Sequence, residues 1–205
     1  MSVATETKVP HSSTVSFLSY WRGLQDSPDQ APLRERFDPA SLKSLVPQML
    51  MISSLDPAYR FRLSGGFLVA FHGLELRNTS FTSLFRAPFV QTLETALRMA
   101  ERRQQPLILK LSAPWLSRSA MRAGEDVLLS QSETVSFEIC LCPMLGPKGQ
   151  VDRFVGIYQT LSPMPSNPYG VIGRYTLESA RIFEHHRLVR AAHLRLVTLE
   201  GRLIA

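Results

Sequence analysis

The residue types best suited to chemistry are few, since this chain of 205 residues has two cysteines and five histidines. Cys140 and Cys142 lie two apart in a stretch that alternates like a β-strand. Both thiols should therefore share one face, with their Cα atoms about 6.5–7 Å apart. That spacing is poor for a disulfide, and a Cys-x-Cys pair without a second pair is a weak metal motif. We expect two buried, reduced thiols in a cytoplasmic protein.

No catalytic constellation is recognisable in the sequence. Gly65-Gly66 precedes a predicted helix, but no Lys-Ser/Thr follows it as in a phosphate-binding loop, so the pair should permit a strand-to-helix turn. No serine stands in a Gly-x-Ser-x-Gly elbow, and no acid–base pair is evident. No acid is placed to complete a metal site with the C-terminal histidines His185, His186 and His193. We predict no catalytic residue, no metal site and no enzyme activity.

The composition is that of an ordinary globular protein, with 44% hydrophobic and 20% charged residues. The net charge of +6 permits nucleic acid, an anionic membrane or an acidic protein as partner without requiring any of them. Because no block of five like charges occurs, a solvated surface is favoured and a nucleic-acid partner is not expected. No secretory signal is evident, and no apolar run approaches the ~18 residues of a membrane span.

Apolar periodicity predicts the helices that must position these residues. An N-terminal helix carries apolar side chains at helical spacing, namely Phe17, Leu18, Trp21 and Leu24. A second, short helix starts at Asp38-Pro39, and residues 67–72 form another that Gly73 ends. Pro88 begins a longer helix that Pro106 ends. Its apolar stripe consists of Val90, Leu93, Leu97 and Ala100.

Alternating apolar residues predict five strands, at 49–55, 59–64, 107–112, 135–142 and 154–161. A hairpin, a helical insertion and a three-stranded meander should build an α+β fold, a five-stranded antiparallel sheet with helices on one face. The chain then divides into a disordered N-terminus at 1–14, an N-terminal helical extension at 15–48, the core at 49–162 and a basic C-terminal tail at 163–205.

This order of elements is that of a PAS domain, and several motifs resemble one PAS family. The motifs are Trp21-Arg22-Gly23, Pro32-Leu33-Arg34-Glu35-Arg36-Phe37-Asp38-Pro39, Leu45-Val46-Pro47, Arg60-Phe61-Arg62-Leu63-Ser64-Gly65 and Gly73-Leu74-Glu75-Leu76-Arg77-Asn78. They resemble the small stand-alone PAS proteins of alphaproteobacteria, first described as a domain of unknown function. Asn78 stands where that family usually has glycine, and asparagine also tolerates a positive φ. The resemblance covers residues 17–161 and implies a sensory or protein-interaction module without catalytic residues.

The resemblance also implies a cavity between the helices and the sheet, where many relatives hold a cofactor. Candidate lining residues are Phe67, Phe71, His72, Phe85, Phe89, Leu97, Trp115 and Tyr158. Haem-binding relatives commonly carry an axial histidine on the long helix, which has none here. His72 is therefore the remaining haem candidate, against the alternative of a satisfied or exposed histidine beside a helix C-terminus. Flavin photosensors need an Asn-Cys-Arg run on a helix, which neither cysteine matches. We predict no cofactor, and either an ordinary core or a small apolar ligand pocket between Phe71, Leu97 and the sheet.

Three functions remain open from the sequence. The first is a non-catalytic signalling adaptor that binds a protein partner, since the residues after Leu161 leave little room for an output domain. The second is a receptor for a small molecule or haem, and the third is a nucleic-acid-binding regulator. The N-terminal helix is a candidate homodimer contact.

The basic tail is the candidate partner-binding segment. Arg181, Arg187 and Arg190 could meet the carboxylates of an acidic partner through charge-assisted hydrogen bonds. The alternative is that the tail packs back on the core. Leu177, Ala180, Phe183 and Leu188 have partial helical spacing, whereas residues 194–197 alternate like a short strand, so the sequence leaves the conformation of the tail open.

Overall fold

The computed structural model of the chain describes residues 10–55, 58–117, 133–165 and 169–183. The strands in these ranges are β1 Met49–Ser53, β2 Phe61–Ser64, β3 Leu107–Ser117, β4 Thr134–Leu145, β5 Val151–Thr160, β6 Gly170–Ile172 and β7 Thr176–Ile182. They form a 7-stranded sheet in the order β2-β1-β5-β4-β3-β6, and β7 also pairs with β3. Every pairing between these strands is antiparallel.

The predicted helices are present with bounds a few residues from those that the sequence signals indicate, and the one that starts at Pro39 is a 3₁₀ segment. The α-helices of the described ranges are α1 Ser12–Gly23, α2 Gly66–His72 and α3 Ala87–Arg103, with 3₁₀ segments at Arg34–Arg36, Pro39–Gln48 and Thr82–Leu84. The Asp38 carboxylate caps the second 3₁₀ segment by accepting from the Ala40 amide at 2.9 Å. Gly73 ends α2 with a φ of 66°, and Asn78 adopts the same left-handed value. Asparagine at position 78 therefore adopts the positive φ that a glycine would adopt readily.

One face of the sheet, called the inner face below, is covered by α2 and α3. The predicted stripe of α3 lies on it, with Leu93, Leu97 and Ala100 fully buried. The inward side chains of β4 are the apolar members of its alternation, and they too are fully or almost fully buried: Val135, Phe137, Ile139 and Leu141. The main hydrophobic core therefore sits between α3 and the sheet.

The opposite, outer face of the sheet carries a second apolar cluster under α1. Phe17, Leu18 and Trp21 of α1 are buried against it, together with the outward side chains Cys140 and Cys142 of β4. The N-terminal helix was predicted from the spacing of these same apolar residues. Because that apolar side is used inside the chain, a homodimer contact through α1 would have to use the other side of the helix, where Val15 is exposed.

The N-terminus of α1 corrects one boundary of the predicted organisation. Residues 1–14 were expected to be disordered, but α1 begins at Ser12, and Thr14 is completely buried. The reason is a buried carboxylate on β4. Glu138 accepts hydrogen bonds from the His11 amide at 2.9 Å and from the Thr14 hydroxyl at 2.7 Å, which fix the start of the helix on the sheet.

The five predicted strands and the α+β class are confirmed, and the sheet gains two strands from the segment described as a basic tail. Within that segment β6 and β7 both pair with β3, which has 11 residues and offers a long edge. Leu177 packs on the inner face, with Ala180 and Ile182 partly buried against the same core. Up to Phe183 the tail therefore packs back on the core as a strand, the second of the two alternatives.

Candidate functional site

The space predicted to hold a ligand, between α2, α3 and the sheet, contains a cluster of aromatic side chains. Phe71 of α2 is at its centre, with ring centroids 5.8 Å from Tyr158 and 6.0 Å from Phe137. Phe137 stacks on Tyr158 at 5.1 Å, so two neighbouring strands present parallel rings to the helix. Edge and stacked contacts of this kind stabilise packing beyond the buried area alone. We call Phe71, Phe85, Phe137, Tyr158 and Tyr175 the inner aromatic cluster.

A chain of polar groups runs through this cluster. His72, the last residue of α2, lies with its Nε2 atom 3.0 Å from the hydroxyl of Tyr175, and the Tyr175 hydroxyl donates to the Tyr158 hydroxyl at 3.0 Å. All three residues are buried, with 6% of His72 exposed and even less of the two tyrosines. Because Tyr175 donates to Tyr158, the remaining bond is satisfied when the Nε2–H of His72 donates to Tyr175.

Burial keeps all three groups of this chain neutral near pH 7. It lowers the pKa of His72 to about 4, because the charged imidazolium would be desolvated. Burial also raises the pKa of Tyr158 well above its usual value, and the neighbouring Tyr175 adds to the effect. The pKa of Tyr175 is likewise raised by burial. The chain is thus a neutral hydrogen-bond network, and its interruption would leave buried donors unsatisfied.

The structure brings most of the predicted pocket residues together. Phe71, Trp115 and Tyr158 contact one another through Phe71, and Phe85 and Leu97 are buried in the same core. Phe89 packs against that core from its edge. Phe67 differs, since 46% of it is exposed while its ring contacts Phe71 at 6.2 Å.

Two members of the cluster were missed by sequence reasoning. Phe137 was assigned to a strand but not to the site, although its alternation with Ser136 and Glu138 already placed it on the inward side. Tyr175 was missed because it lies in the segment taken as a basic tail. It lies between β6 and β7, directly before Thr176, and packs against Phe85 at 5.3 Å and Phe137 at 5.8 Å. No local signal distinguishes such a tyrosine from an exposed one.

The side chains in this space do not fit haem held through His72. The Nε2 atom that would coordinate iron is engaged with Tyr175, and the surrounding volume contains the rings of Phe71 and Phe85. A flavin–cysteine adduct does not fit either, because Cys140 and Cys142 project from the outer face while the aromatic cluster lies on the inner face. Within the four described ranges, no group of three or more His, Cys, Asp or Glu side chains could hold a metal ion.

The two cysteines form a close pair beneath α1. Their Sγ atoms are 3.9 Å apart, both side chains are completely buried, and neither is in a disulfide. Burial raises the pKa of Cys142 well above its usual value, with a further contribution from Cys140. The prediction that the two thiols are buried and share one face of the strand is confirmed.

The predicted partner-binding arginines are placed only in part. Arg181 is exposed on β7, where it pairs across the sheet with Ile108. Arg187 and Arg190 lie outside the described residues, as do the three C-terminal histidines. Of the three predicted arginines, Arg181 is therefore the one that the structure places on the surface.

The family of the chain follows from a comparison with protein-family models. A model described as PAS domain matches residues 9–159, which include α1, β1 to β4 and all but the last residue of β5. The chain belongs to the PAS domain family, and the sensory and signalling role of such domains extends to it. No curated protein matches the chain.

Solved structures similar to the chain are light-oxygen-voltage (LOV) domains. The light state of the blue-light photoreceptor Aureochrome1 LOV shares 11% identity, with 60% of this chain and 87% of that chain covered and a TM-score of 0.37. A LOV domain studied with a flavin analogue shares 12% identity over 60% of this chain and 83% of its own, with a TM-score of 0.39. An RNA-binding LOV receptor shares 11%, with 78% and 37% covered and a TM-score of 0.39. None of these likenesses decides what this chain binds.

Among the described residues, no helix has the length and apolar character needed to cross a membrane.

Proposed function

We propose that this chain is a non-catalytic PAS signalling adaptor that acts through contacts with a protein partner. The observation that carries the proposal is Phe67. It is 46% exposed at the start of α2, yet its ring touches Phe71, which in turn contacts Trp115, Phe137 and Tyr158. A partner that covers Phe67 would therefore press on a side chain joined by direct ring contacts to the core of the domain.

The surroundings of Phe67 support a protein contact. Leu63 on β2 and Leu74 after α2 are 44% and 45% exposed, so exposed apolar residues flank α2 in the sequence on both sides. Exposed aromatic residues flanked by aliphatic ones are typical anchors of protein interfaces. Arg181, with Arg187 and Arg190 after it, would add charged contacts to an acidic partner, which mainly speed encounter. The two free thiols are consistent with a reducing, cytoplasmic compartment.

Site-specific photocrosslinking in the native cell tests the adaptor proposal. A photoreactive phenylalanine analogue at position 67 should give a defined crosslink to one protein. The same analogue at Met99, which is 41% exposed on α3, should not. Capture should weaken in Arg181→Glu but not in Arg102→Glu, an equal charge change at another exposed arginine. Equal crosslinking at both positions, or none at 67, would refute the proposal.

A second candidate is a receptor for a small molecule, and the His72–Tyr175–Tyr158 chain favours it. Ligand sites in proteins combine apolar walls with a few convergent polar groups, and these three residues supply such groups within an aromatic core. A ligand would have to displace rings of the inner aromatic cluster. Native mass spectrometry and the absorption spectrum of protein purified from its own cell would reveal it. Phe71→Trp should lower its uptake by adding volume at the centre of the cluster.

A further inference from the structure

The outer face of the sheet holds three sulfur-containing side chains in one row, on the side opposite the inner aromatic cluster. Cys140, Cys142 and Met144 are successive outward residues of β4, and each is at most 1% exposed. The two thiols are already in contact, with 3.9 Å between their Sγ atoms. Any small apolar residues would fill these positions, so packing does not require two thiols in contact. The pair is therefore a candidate ligand site.

The separation of the thiols matches that of two sulfur ligands on one metal ion. A metal–sulfur bond of about 2.3 Å places two ligand sulfurs about 3.8 Å apart in a tetrahedron and about 4.0 Å apart in a trigonal plane. The observed 3.9 Å lies between these values. The backbone therefore presents both thiols at a coordination distance without any change of strand geometry.

The nature of the ligands selects the ion. Thiolate and thioether sulfurs are soft ligands that favour monovalent copper, whereas a structural zinc ion needs four thiolate, imidazole or carboxylate ligands. The described residues supply no third cysteine, histidine or carboxylate at this position. Met144 is the next outward side chain, and its flexible thioether is the soft third ligand that copper(I) accepts.

The local charges suit a complex of net charge −1. When copper(I) binds two cysteines, each S–H bond breaks, two protons pass to solvent and two Cu–S bonds form, which gives a bis-thiolate with one negative charge. Arg22 of α1 is close enough to both thiols for its positive charge to act on them. Its guanidinium is held over the ring of Phe183, 5.3 Å from the centroid, on the same side of the sheet.

We propose that Cys140 and Cys142, with Met144 as a third ligand, form a binding site for one copper(I) ion beneath α1. Trp21 covers the site, because its indole N–H donates to the Pro143 carbonyl at 3.0 Å, between Cys142 and Met144. Entry of the ion requires α1 to lift from the sheet, a local opening of the kind terminal elements undergo. The indole thus serves as a built-in reporter of occupancy.

The test is an anaerobic titration of the full chain with copper(I) against a colorimetric copper(I) chelator. A Trp115→Phe background makes Trp21 the sole tryptophan. We expect one equivalent of copper to be retained, with loss of Trp21 fluorescence and a higher thermal midpoint. Cys140→Ala and Cys142→Ala should each abolish retention, and Met144→Leu should weaken it. Met164→Leu, at a methionine 38% exposed, is the matched control and should change nothing.

Two outcomes would overturn the proposal. One is that the chelator removes all copper from the unmodified chain. The other is that the Cys140→Ala/Cys142→Ala double variant retains as much copper as the unmodified chain. X-ray absorption of the copper-loaded unmodified chain keeps the proposal falsifiable if the cysteine variants fail to fold. It should show sulfur neighbours only, and nitrogen or oxygen ligands would refute the site.

Discussion

His72 and Tyr175 are 103 residues apart in the chain, yet the imidazole Nε2 of one lies 3.0 Å from the hydroxyl of the other. The first residue closes α2, and the second precedes β7. Their hydrogen bond therefore joins the short helix of the PAS core to the C-terminal strands, across the inner face of the sheet. This relationship explains why a segment outside the matched family region is part of the core.

Tyr175→Phe should be more destabilising than Tyr158→Phe, although both remove one buried hydroxyl. Tyr175 takes part in two hydrogen bonds and Tyr158 in one, so only the first change leaves two buried groups without their partner. We expect losses of about 2–3 kcal/mol and about 1 kcal/mol respectively in the free energy of unfolding. Urea denaturation followed by fluorescence measures both. Equal losses would show that the two bonds do not act as a chain.

The stability of the protein should fall as the pH is lowered from about 6.5 towards 4, with His72 as one cause. Its pKa is lowered by burial to about 4 in the folded state, whereas an exposed histidine has a pKa of about 6.5. Between these two pH values the His72 imidazole is protonated in the unfolded chain and neutral in the folded chain. Unfolding is thereby favoured by up to about 3 kcal/mol, and the full stability is present above pH 6.5.

His72→Gln is the control for this pH dependence, because its amide N–H can still donate to Tyr175 while the side chain no longer titrates. When urea midpoints measured from pH 4 to 7.5 are aligned at pH 7.5, the midpoint of the unmodified protein should fall below that of His72→Gln as the pH is lowered towards 4. Parallel curves over the whole range would mean that His72 contributes no pH dependence.

β4 and α3 show which features of the fold can be predicted from the sequence. The alternation around Phe137 and the apolar stripe through Leu97 each identify the buried side of their element. They do so because side-chain direction repeats every two residues in a strand and every 3.6 residues in a helix. The same alternation placed Glu138 with the polar side of the strand, yet Glu138 is completely buried under α1. Which segment covers the second face of a sheet depends on long-range packing, and no local pattern encodes it. Tyr175 escaped prediction for the same reason.

Thr14→Val should loosen α1 from the outer face of the sheet. The Thr14 hydroxyl donates to the Glu138 carboxylate at 2.7 Å, and the other carboxylate oxygen has no hydrogen-bond partner. Removal of this buried hydrogen bond should cost about 1–3 kcal/mol and speed hydrogen exchange in α1. Thr95→Val is the matched control, since Thr95 is exposed on α3. Equal effects of the two changes would contradict a role for Glu138 as the anchor.

Gly156→Ala should disrupt the centre of the sheet. A methyl group at this position of β5 would overlap the backbone carbonyl oxygen of Cys140 on β4, and a backbone atom in a central strand cannot move aside cheaply. We expect a loss of about 3 kcal/mol or more, or failure to fold. Gly66→Ala, where nothing lies within 4 Å of the added methyl, should instead be neutral or stabilising by about 0.5 kcal/mol. Thermal melts of both variants decide the matter.

Two truncations separate the structural part of the C-terminal segment from its proposed partner-binding part. A stop after Pro168 removes β6, β7 and Tyr175, which leaves β3 paired with β4 alone and His72 without its hydrogen bond. The thermal midpoint should fall by about 10 °C or more, because the free energy of burying the apolar side chains of β6 and β7 is lost.

A stop after Phe183 keeps all seven of the described strands and should leave the thermal midpoint within about 2 °C of that of the full chain. Because it removes Arg187 and Arg190, capture of an acidic partner should weaken, and more so at low salt. Unchanged capture by the chain ending at Phe183 would exclude these two arginines from the interface.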